Sequence, residues 1–167
     1  MRRVFAVGVA ILALAGCATS SETAAEETAV ARVIDGDPIE TSDGERIRLV
    51  QIDAPELGEG ECYAAESTAA LDELIPPGTE VRLEADPRLD EVDRFGRLLR
   101  YVHHEDTIVN LELVRSGAAS VWFFDGDRGR YADELLDAAR AAEGADRGLW
   151  GACPTADLQP EQGVDTG

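Results

Sequence analysis

Five short strand-like runs constrain the fold of this chain more than any other feature. Turn residues separate the runs, and each run is short enough for one strand of a small sheet. The runs are Glu27 to Ile34, Ile39 to Thr41, Arg46 to Ile52, Glu80 to Glu84 and Arg97 to His103. Asp35-Gly36-Asp37 joins the first two, and Ser42-Asp43-Gly44 carries an Asp-Gly pair that is a strong hairpin signal.

Apolar residues at helical spacing predict three helices. They are Tyr63 to Ile75, ended by Pro76-Pro77-Gly78; Thr107 to Arg115, capped by Asp106 and stopped by Gly117; and Arg130 to Glu143, ended by Gly144. Five short strands with helices between and after them indicate an α+β fold, a five-stranded β-barrel packed with about three helices.

The N-terminus has the order of charge and apolar residues that marks an export signal. Arg2 and Arg3 precede an apolar stretch that is too short to span a bilayer, and it ends in Leu14-Ala15-Gly16-Cys17. This ending resembles a bacterial lipobox, so we expect a signal peptide over residues 1–16 and lipid on Cys17. The protein would then be lipid-anchored in the cell envelope, facing the extracytoplasmic side of a bacterial membrane. An ordinary signal peptide or a short membrane anchor with an incidental cysteine is the alternative.

Composition divides the rest of the chain. Residues 17–27 lack large apolar side chains and are expected to form a flexible tether, residues 28–153 one domain, and residues 154–167 a disordered acidic tail. Export makes a disulfide between Cys62 and Cys153 plausible, with two free thiols as the alternative. A zinc site is not expected, because these cysteines and the adjacent His103 and His104 lack a ligand spacing.

Net charge excludes a broad nucleic-acid-binding face. The formal net charge is −19, and all 15 basic residues are arginines. Such a chain repels polyanions, so a phosphate substrate would have to be captured locally by a few arginines and a bound cation. The run from Arg48 to Glu56 fits that need, since it places one cation and two carboxylates at the end of an apolar strand. Asp35-Gly36-Asp37 and Asp93-Arg94-Phe95-Gly96-Arg97 lie on further predicted turns.

Taken together, these motifs resemble the thermonuclease family of staphylococcal-nuclease-like enzymes. The matching segments are Arg32 to Asp37, Ile47 to Leu49, Asp53 to Glu56, Asp93 to Arg97, Val109-Asn110 with Leu113-Val114 and Gly117, and Gly148 to Trp150. The resemblance implies an OB-fold barrel with three helices. It also implies a Ca²⁺-dependent nuclease that cleaves DNA and/or RNA and leaves 3′-phosphate ends. A monomer is expected, although the sequence itself carries no signal of the oligomeric state.

The resemblance also assigns roles at individual positions. Asp37, Asp53 and the backbone carbonyl of Ala54 would bind Ca²⁺, and Glu56 would activate the attacking water. Arg48 and Arg97 would bind the scissile phosphate and stabilise the charge of the transition state. One departure concerns Pro38, which replaces the family's usual threonine beside a metal ligand and restricts the backbone there.

Positions that would contact the nucleotide are less specific. Arg94 aligns with a cationic family position, and Phe95 and Phe123 fall near aromatic ones, although core packing is an equal alternative for both rings. We expect Trp122 and Trp150 in the core, and for Asp35 either a structural role or support of the metal ligands. Two other functions stay open, a catalytically inactive nuclease-like module that binds nucleic acid and a calcium-binding envelope module.

Overall fold

The computed structural model describes residues 26–167 of the chain. The predicted signal peptide, Cys17 and most of the predicted tether lie outside these residues. The strands are β1 (Glu26–Val33), β2 (Pro38–Thr41), β3 (Arg46–Leu49), β4 (Ile52–Asp53), β5 (Glu80–Glu84), β6 (Leu98–His104), β7 (Thr107–Ile108) and β8 (Ser120–Val121). The helices are α1 (Ala64–Leu74), α2 (Val109–Ser116), α3 (Ala132–Glu143) and α4 (Leu149–Ala152).

Five of the strands close into a mixed barrel. Their order is β3-β2-β1-β5-β6, with antiparallel neighbours, and a parallel pairing of β3 with β6 completes the ring. The inward-facing residues include Val30, Ile39, Ile47 and Val102, all buried. The barrel with its helices confirms the α+β barrel fold predicted from the sequence. The five predicted barrel strands and three predicted helices are all present, with small shifts at their ends.

Two boundaries differ from the sequence prediction for identifiable reasons. The second helix begins at Val109, and not after a cap at Asp106, because Thr107 and Ile108 pair with β6 as a short strand. The third strand ends at Leu49, and the chain turns sharply at Gln51, whose φ is 65°. The Gln51 side chain stabilises this turn by donating to the carbonyl of Asp127 at 2.9 Å and accepting from the amide of Gly129 at 2.8 Å.

The three main helices cover one part of the barrel with their apolar faces. Leu71 of α1, Leu113 and Val114 of α2, and Leu135 of α3 are all fully buried in one core. A second, smaller core forms where Trp150 packs with the cysteines of the Cys62–Cys153 disulfide, which the structure contains. Trp150 therefore lies in the core, as expected.

Both ends of the domain extend beyond the boundaries expected from composition. Strand β1 begins at Glu26, because Glu26 and Glu27 pair with Leu83 and Arg82 of β5. Residues 154–167 lie against the domain, which differs from the disordered tail expected from their polar composition. Their few apolar side chains, Ala156, Leu158 and Val164, pack on the core beside the disulfide. Within residues 26–167, no helix combines the length and apolarity needed to cross a membrane.

Candidate functional site

The barrel brings three of the predicted site residues together at one end of β2 and β3. Asp37 directly precedes β2, and Arg48 lies opposite Pro38 on the neighbouring strand β3. The turn at Gln51 then redirects the chain so that Asp53, in β4, faces the same point. The close spacing of these three groups is therefore a consequence of strand register plus one sharp turn.

Arg48 is buried between the two aspartates and contacts both. Its Nε lies 2.9 Å from Asp37 Oδ1, and its Nη2 donates to Asp53 Oδ1 at 2.8 Å. Its Nη1 donates to the carbonyls of Leu49 and Ile52 at 2.6 and 2.7 Å. The guanidinium thus fixes the turn and both carboxylates at once, and the fork geometry of arginine is what makes four contacts possible.

Asp37 is the most strongly perturbed group of the site. Its side chain is 2% exposed, and burial raises its pKa to about 7 although Arg48 opposes the shift. Asp37 Oδ2 accepts from the amide of Ala54 at 3.0 Å, while Oδ1 has no well-aligned hydrogen-bond donor despite the nearby Arg48 Nε. A buried carboxylate oxygen without a hydrogen bond is a group that a bound cation would stabilise.

Asp53 and Ala54 complete the oxygen donors predicted from the sequence. Burial also raises the pKa of Asp53, again against the effect of Arg48. Ala54 is buried beside Gly36, where a β-carbon would lie 2.6 Å from the Ala54 β-carbon, so the turn before β2 and the segment after β4 are in close contact. Oxygen ligands of this kind suit a hard cation such as Ca²⁺. Across residues 26–167, no cluster of three or more His, Cys, Asp or Glu side chains has the arrangement of a metal site.

Glu56 lies at the exposed edge of the same site. Partial burial and the neighbouring Asp35 carboxylate raise its pKa. Asp35 itself accepts from the amides of Gly36 and Leu57, at 2.9 and 3.2 Å, and from the Thr68 hydroxyl at 3.1 Å. Asp35 therefore ties the turn before β2 to the Glu56 loop and to α1, which is the structural role expected for it. A carboxylate with a raised pKa at a solvent-accessible position is suited to accept a proton from water.

Pro38 occupies the first position of β2. A missing backbone donor is tolerated there, since the first residue of a strand is one of the places where proline occurs in sheets. The carbonyl of Asp37 accepts from the Leu49 amide at 2.9 Å, so the backbone on the N-terminal side of Pro38 is held by β3. The structure accommodates the proline without displacing Asp37 from Arg48.

A pocket of about 490 Å³ adjoins Arg48. Its lining includes Arg94, Phe95 and Arg97 from the turn before β6. Arg97 donates through Nε to Asp93 Oδ2 at 2.6 Å, and the Cζ atoms of Arg94 and Arg97 lie 4.7 and 5.4 Å from the centre of the exposed Phe95 ring. The lining also contains three aspartates, Asp90, Asp93 and Asp127, so the pocket offers arginine donors and an aromatic surface without a net positive charge. Arginines beside aromatic rings suit a nucleotide.

The other aromatic residues of the pocket differ from those predicted. Phe123 is 2% exposed and belongs to the core, so the structure supports core packing and does not place its ring at the pocket. Trp122, expected in the core, lines the pocket together with the exposed Phe124. Val121 and Phe123 are buried, and alternation along the extended chain places Trp122 between them on the opposite side, a pattern that the sequence prediction did not use.

Comparison with known proteins agrees with this geometry. The family model described as Staphylococcal nuclease homologue matches residues 46–152, a range that includes Arg48, Asp53, Glu56 and Arg97 but not Asp37. Thermonuclease of Staphylococcus intermedius is 28% identical over 138 residues, which cover 79% of this chain and 80% of that protein. Thermonuclease of Staphylococcus hyicus is 30% identical over 128 residues, or 72% of this chain and 73% of that protein.

A third relative is longer. The SPbeta prophage-derived endonuclease YokF of Bacillus subtilis (strain 168) is 29% identical over 126 residues, which are 71% of this chain but 42% of that protein. All three relatives carry names of nucleases, and together with the family model they support a nuclease function.

Proposed function

Because this chain belongs to the staphylococcal nuclease homologue family, we propose that it is a calcium-dependent nuclease that hydrolyses phosphodiester bonds of DNA and/or RNA and leaves 3′-phosphate ends. The observation that carries the proposal is the position of Arg48. It holds the buried Asp37 carboxylate and the partly buried Asp53 carboxylate on one side, and on the other it lines a pocket with arginine and aromatic side chains. One point of the protein therefore has the groups to bind a divalent cation and a phosphate side by side.

The cation would be held by Asp37, Asp53 and the backbone carbonyl of Ala54. The buried Asp37 Oδ1, which lacks an aligned donor, supports this set, and so does the raised pKa of both aspartates. A bound Ca²⁺ would supply neutralisation and polarisation of a phosphate oxygen. Two carboxylates and a carbonyl leave room for water and substrate oxygens in the six to eight positions that Ca²⁺ prefers.

In the proposed reaction, Glu56 takes a proton from a water molecule that attacks the phosphorus atom. The bond from phosphorus to the 5′-oxygen breaks, the 5′-oxygen takes a proton from solvent, and the phosphate stays on the 3′-oxygen. Arg97 and the remaining N–H of Arg48 Nη2 donate to the phosphate oxygens as negative charge accumulates. Arg94, Phe95, Trp122 and Phe124 would hold the adjoining nucleotide by charge and stacking.

The proposal places the protein outside the cytoplasm, anchored by lipid on Cys17. The Cys62–Cys153 disulfide supports this location, because such bonds persist in oxidising compartments. We expect Cys17→Ser to move the protein from the membrane fraction to the soluble fraction, with the Cys62–Cys153 bond intact. A serine variant that stays in the membrane would contradict lipid attachment at Cys17.

The mechanism is tested by cleavage of end-labelled oligonucleotides by the full chain in detergent, with identification of the product ends. Glu56→Gln is expected to lower the rate about 10² to 10⁴-fold, because it removes the general base. Arg97→Gln is expected to lower the rate about 10² to 10³-fold, because it removes a phosphate donor. Arg140→Gln, on the exposed face of α3, is the matched control and should cleave like the wild type.

Two outcomes would contradict the proposal. Products with 3′-hydroxyl ends would exclude this reaction even if cleavage occurred. A folded protein that binds Ca²⁺ or oligonucleotides without cleaving them would favour a calcium-binding or nucleic-acid-binding module, and recovery of cleavage by Pro38→Thr would then identify Pro38 as the cause.

A further inference from the structure

The C-terminal segment, residues 154–167, forms a strap that begins and ends at the disulfide. The strap leaves the domain at Cys153, whose carbonyl accepts from the amide of Ala156 at 3.1 Å. At its other end the buried Thr166 donates from its hydroxyl to the carbonyl of Cys62 at 2.9 Å. The Thr155 hydroxyl donates to the Thr166 carbonyl, also at 2.9 Å, so the two ends of the strap are joined to each other.

Between these ends, the strap crosses the outside of the barrel toward the candidate site. The carbonyl of Pro160 accepts from the amide of Phe123 at 2.6 Å, next to the pocket residues Trp122 and Phe124. The amide of Leu158 donates to Glu143 Oε1 at the end of α3, at 3.2 Å. The strap is thus attached to three separate parts of the domain.

The strap reaches Asp53 through Gly163 and Val164. The amide of Val164 donates to Asp53 Oδ2 at 3.0 Å, across 111 positions of sequence. Gly163 has a φ of +80°, and a β-carbon there would lie 2.5 Å from the same oxygen and 3.6 Å from Trp122 Cγ. Any side chain at position 163 would therefore strain the backbone and press on the carboxylate.

Both oxygens of Asp53 have a donor from the protein as a result. Arg48 Nη2 donates to Oδ1 and the Val164 amide donates to Oδ2. Two donors at opposite ends fix the rotation of the carboxylate, which a single donor would leave free. In the part of the chain that the structure describes, the strap contributes no residue to the pocket lining, so it contacts Asp53 without entering the pocket.

We propose that the C-terminal strap positions Asp53 for cation binding, with the Val164 amide as the positioning donor and Gly163 as the residue that permits the approach. The inference rests on the proposed function, since it assigns a role toward the same cation. Groups that orient a ligand contribute strongly to metal affinity because they hold the ligand in place before the ion arrives. This role cannot be predicted from the composition of the strap, because it depends on one backbone amide.

The test is calcium binding by calorimetry on the full chain in detergent, without nucleic acid. Gly163→Ala and Val164→Pro are each expected to weaken Ca²⁺ binding about 10- to 100-fold, the usual effect of losing a group that orients a ligand. Gly78→Ala is the matched control, because its φ of +91° gives the same backbone strain with no atom near the new β-carbon. The control should bind Ca²⁺ like the wild type, and thermal unfolding should show all three variants folded.

The outcomes separate this inference from the proposed function. Unchanged Ca²⁺ affinity in both strap variants would overturn the positioning role, and tighter binding would overturn it in favour of a strap that obstructs the site. If the wild type binds no Ca²⁺, the proposed cation site is wrong. Hydrogen exchange at the Val164 amide then tests separately whether this amide bonds to Asp53 in solution. An amide protected in the wild type and unprotected in Asp53→Ala supports the contact, whereas an amide with the same protection in both proteins excludes it.

Discussion

Arg48 and Arg97 were predicted as a pair of phosphate-binding residues, but their surroundings differ greatly. The Arg48 side chain is 6% exposed and contacts two carboxylates and two carbonyls. The Arg97 side chain is 25% exposed and its one ion pair in the described part of the chain is with Asp93, on the same turn. Arg48 therefore organises the site as well as facing the pocket, whereas Arg97 is the more available donor for a phosphate.

This difference predicts that substitution of Arg48 destabilises the fold much more than substitution of Arg97. Arg48→Gln is expected to lower the free energy of unfolding by about 3 to 5 kcal/mol, because it leaves the buried Asp37 carboxylate and the partly buried Asp53 carboxylate without their partner. Arg97→Gln should cost at most about 1 kcal/mol, since its ion pair is partly exposed. Urea unfolding with a calcium chelator measures both. Equal losses in the two variants would contradict a structural role specific to Arg48.

The raised pKa of Asp37 predicts a pH dependence of stability in the calcium-free protein. Burial raises this pKa from 3.8 to about 7, so the folded protein holds a proton that the unfolded chain releases near pH 4. The contribution of Asp37 is therefore fully present below pH 4 and is lost as pH rises toward and through 7. Urea unfolding at pH 5 and pH 8 in chelator should show a smaller loss of stability in Asp37→Asn than in the wild type. A loss of the same size in both proteins would exclude Asp37 as the source.

Among the secondary-structure elements, local sequence patterns were sufficient to predict the strands of the barrel but not the turn and the strap that shape the site. The alternation of apolar residues and the Asp-Gly turn predicted the strands because these signals are local. The sharp turn at Gln51 was missed, because it depends on bonds to residues 76 and 78 positions away in sequence. The strap was missed for the same reason, since its contacts with Cys62 and Asp53 have no counterpart in its own composition.

Asn110 joins α2 to the barrel by side-chain hydrogen bonds. Its fully buried side chain accepts from the amide of Val102 at 2.9 Å and donates to the carbonyl of Val50 at 3.0 Å. Asn110→Ala leaves those two backbone groups unsatisfied and is expected to destabilise the protein by about 2 to 4 kcal/mol. Thermal or urea unfolding measures the change, with Glu112→Ala on the same helix as control. A loss no larger than that of the control would show that water replaces these bonds.

For the whole molecule, the formal net charge is −19, yet its site must attract a polyanion. The pocket brings three arginines, Arg48, Arg94 and Arg97, to one place, although three aspartates share its lining. Local capture of this kind requires few phosphate contacts, so it explains how an acidic protein can still bind nucleic acid.

Few contacts predict a weak dependence of binding on salt. With three arginines at most, the slope of log K against log salt for single-stranded DNA should be no steeper than about −2. Fluorescence anisotropy with the Glu56→Gln variant across a range of salt measures this slope without cleavage. A slope near −5 would require a broad basic face, which the composition of this chain excludes.

The calcium-dependent nuclease site is tested most directly by the initial rate of single-stranded DNA cleavage by the full chain as free Ca²⁺ is varied. We expect no cleavage in chelator, a saturable increase with Ca²⁺, and loss of that increase in Asp53→Asn. Cleavage at the same rate in chelator, or none by the folded protein at millimolar Ca²⁺, would contradict the claim that Asp37, Arg48 and Asp53 form a calcium-dependent nuclease site.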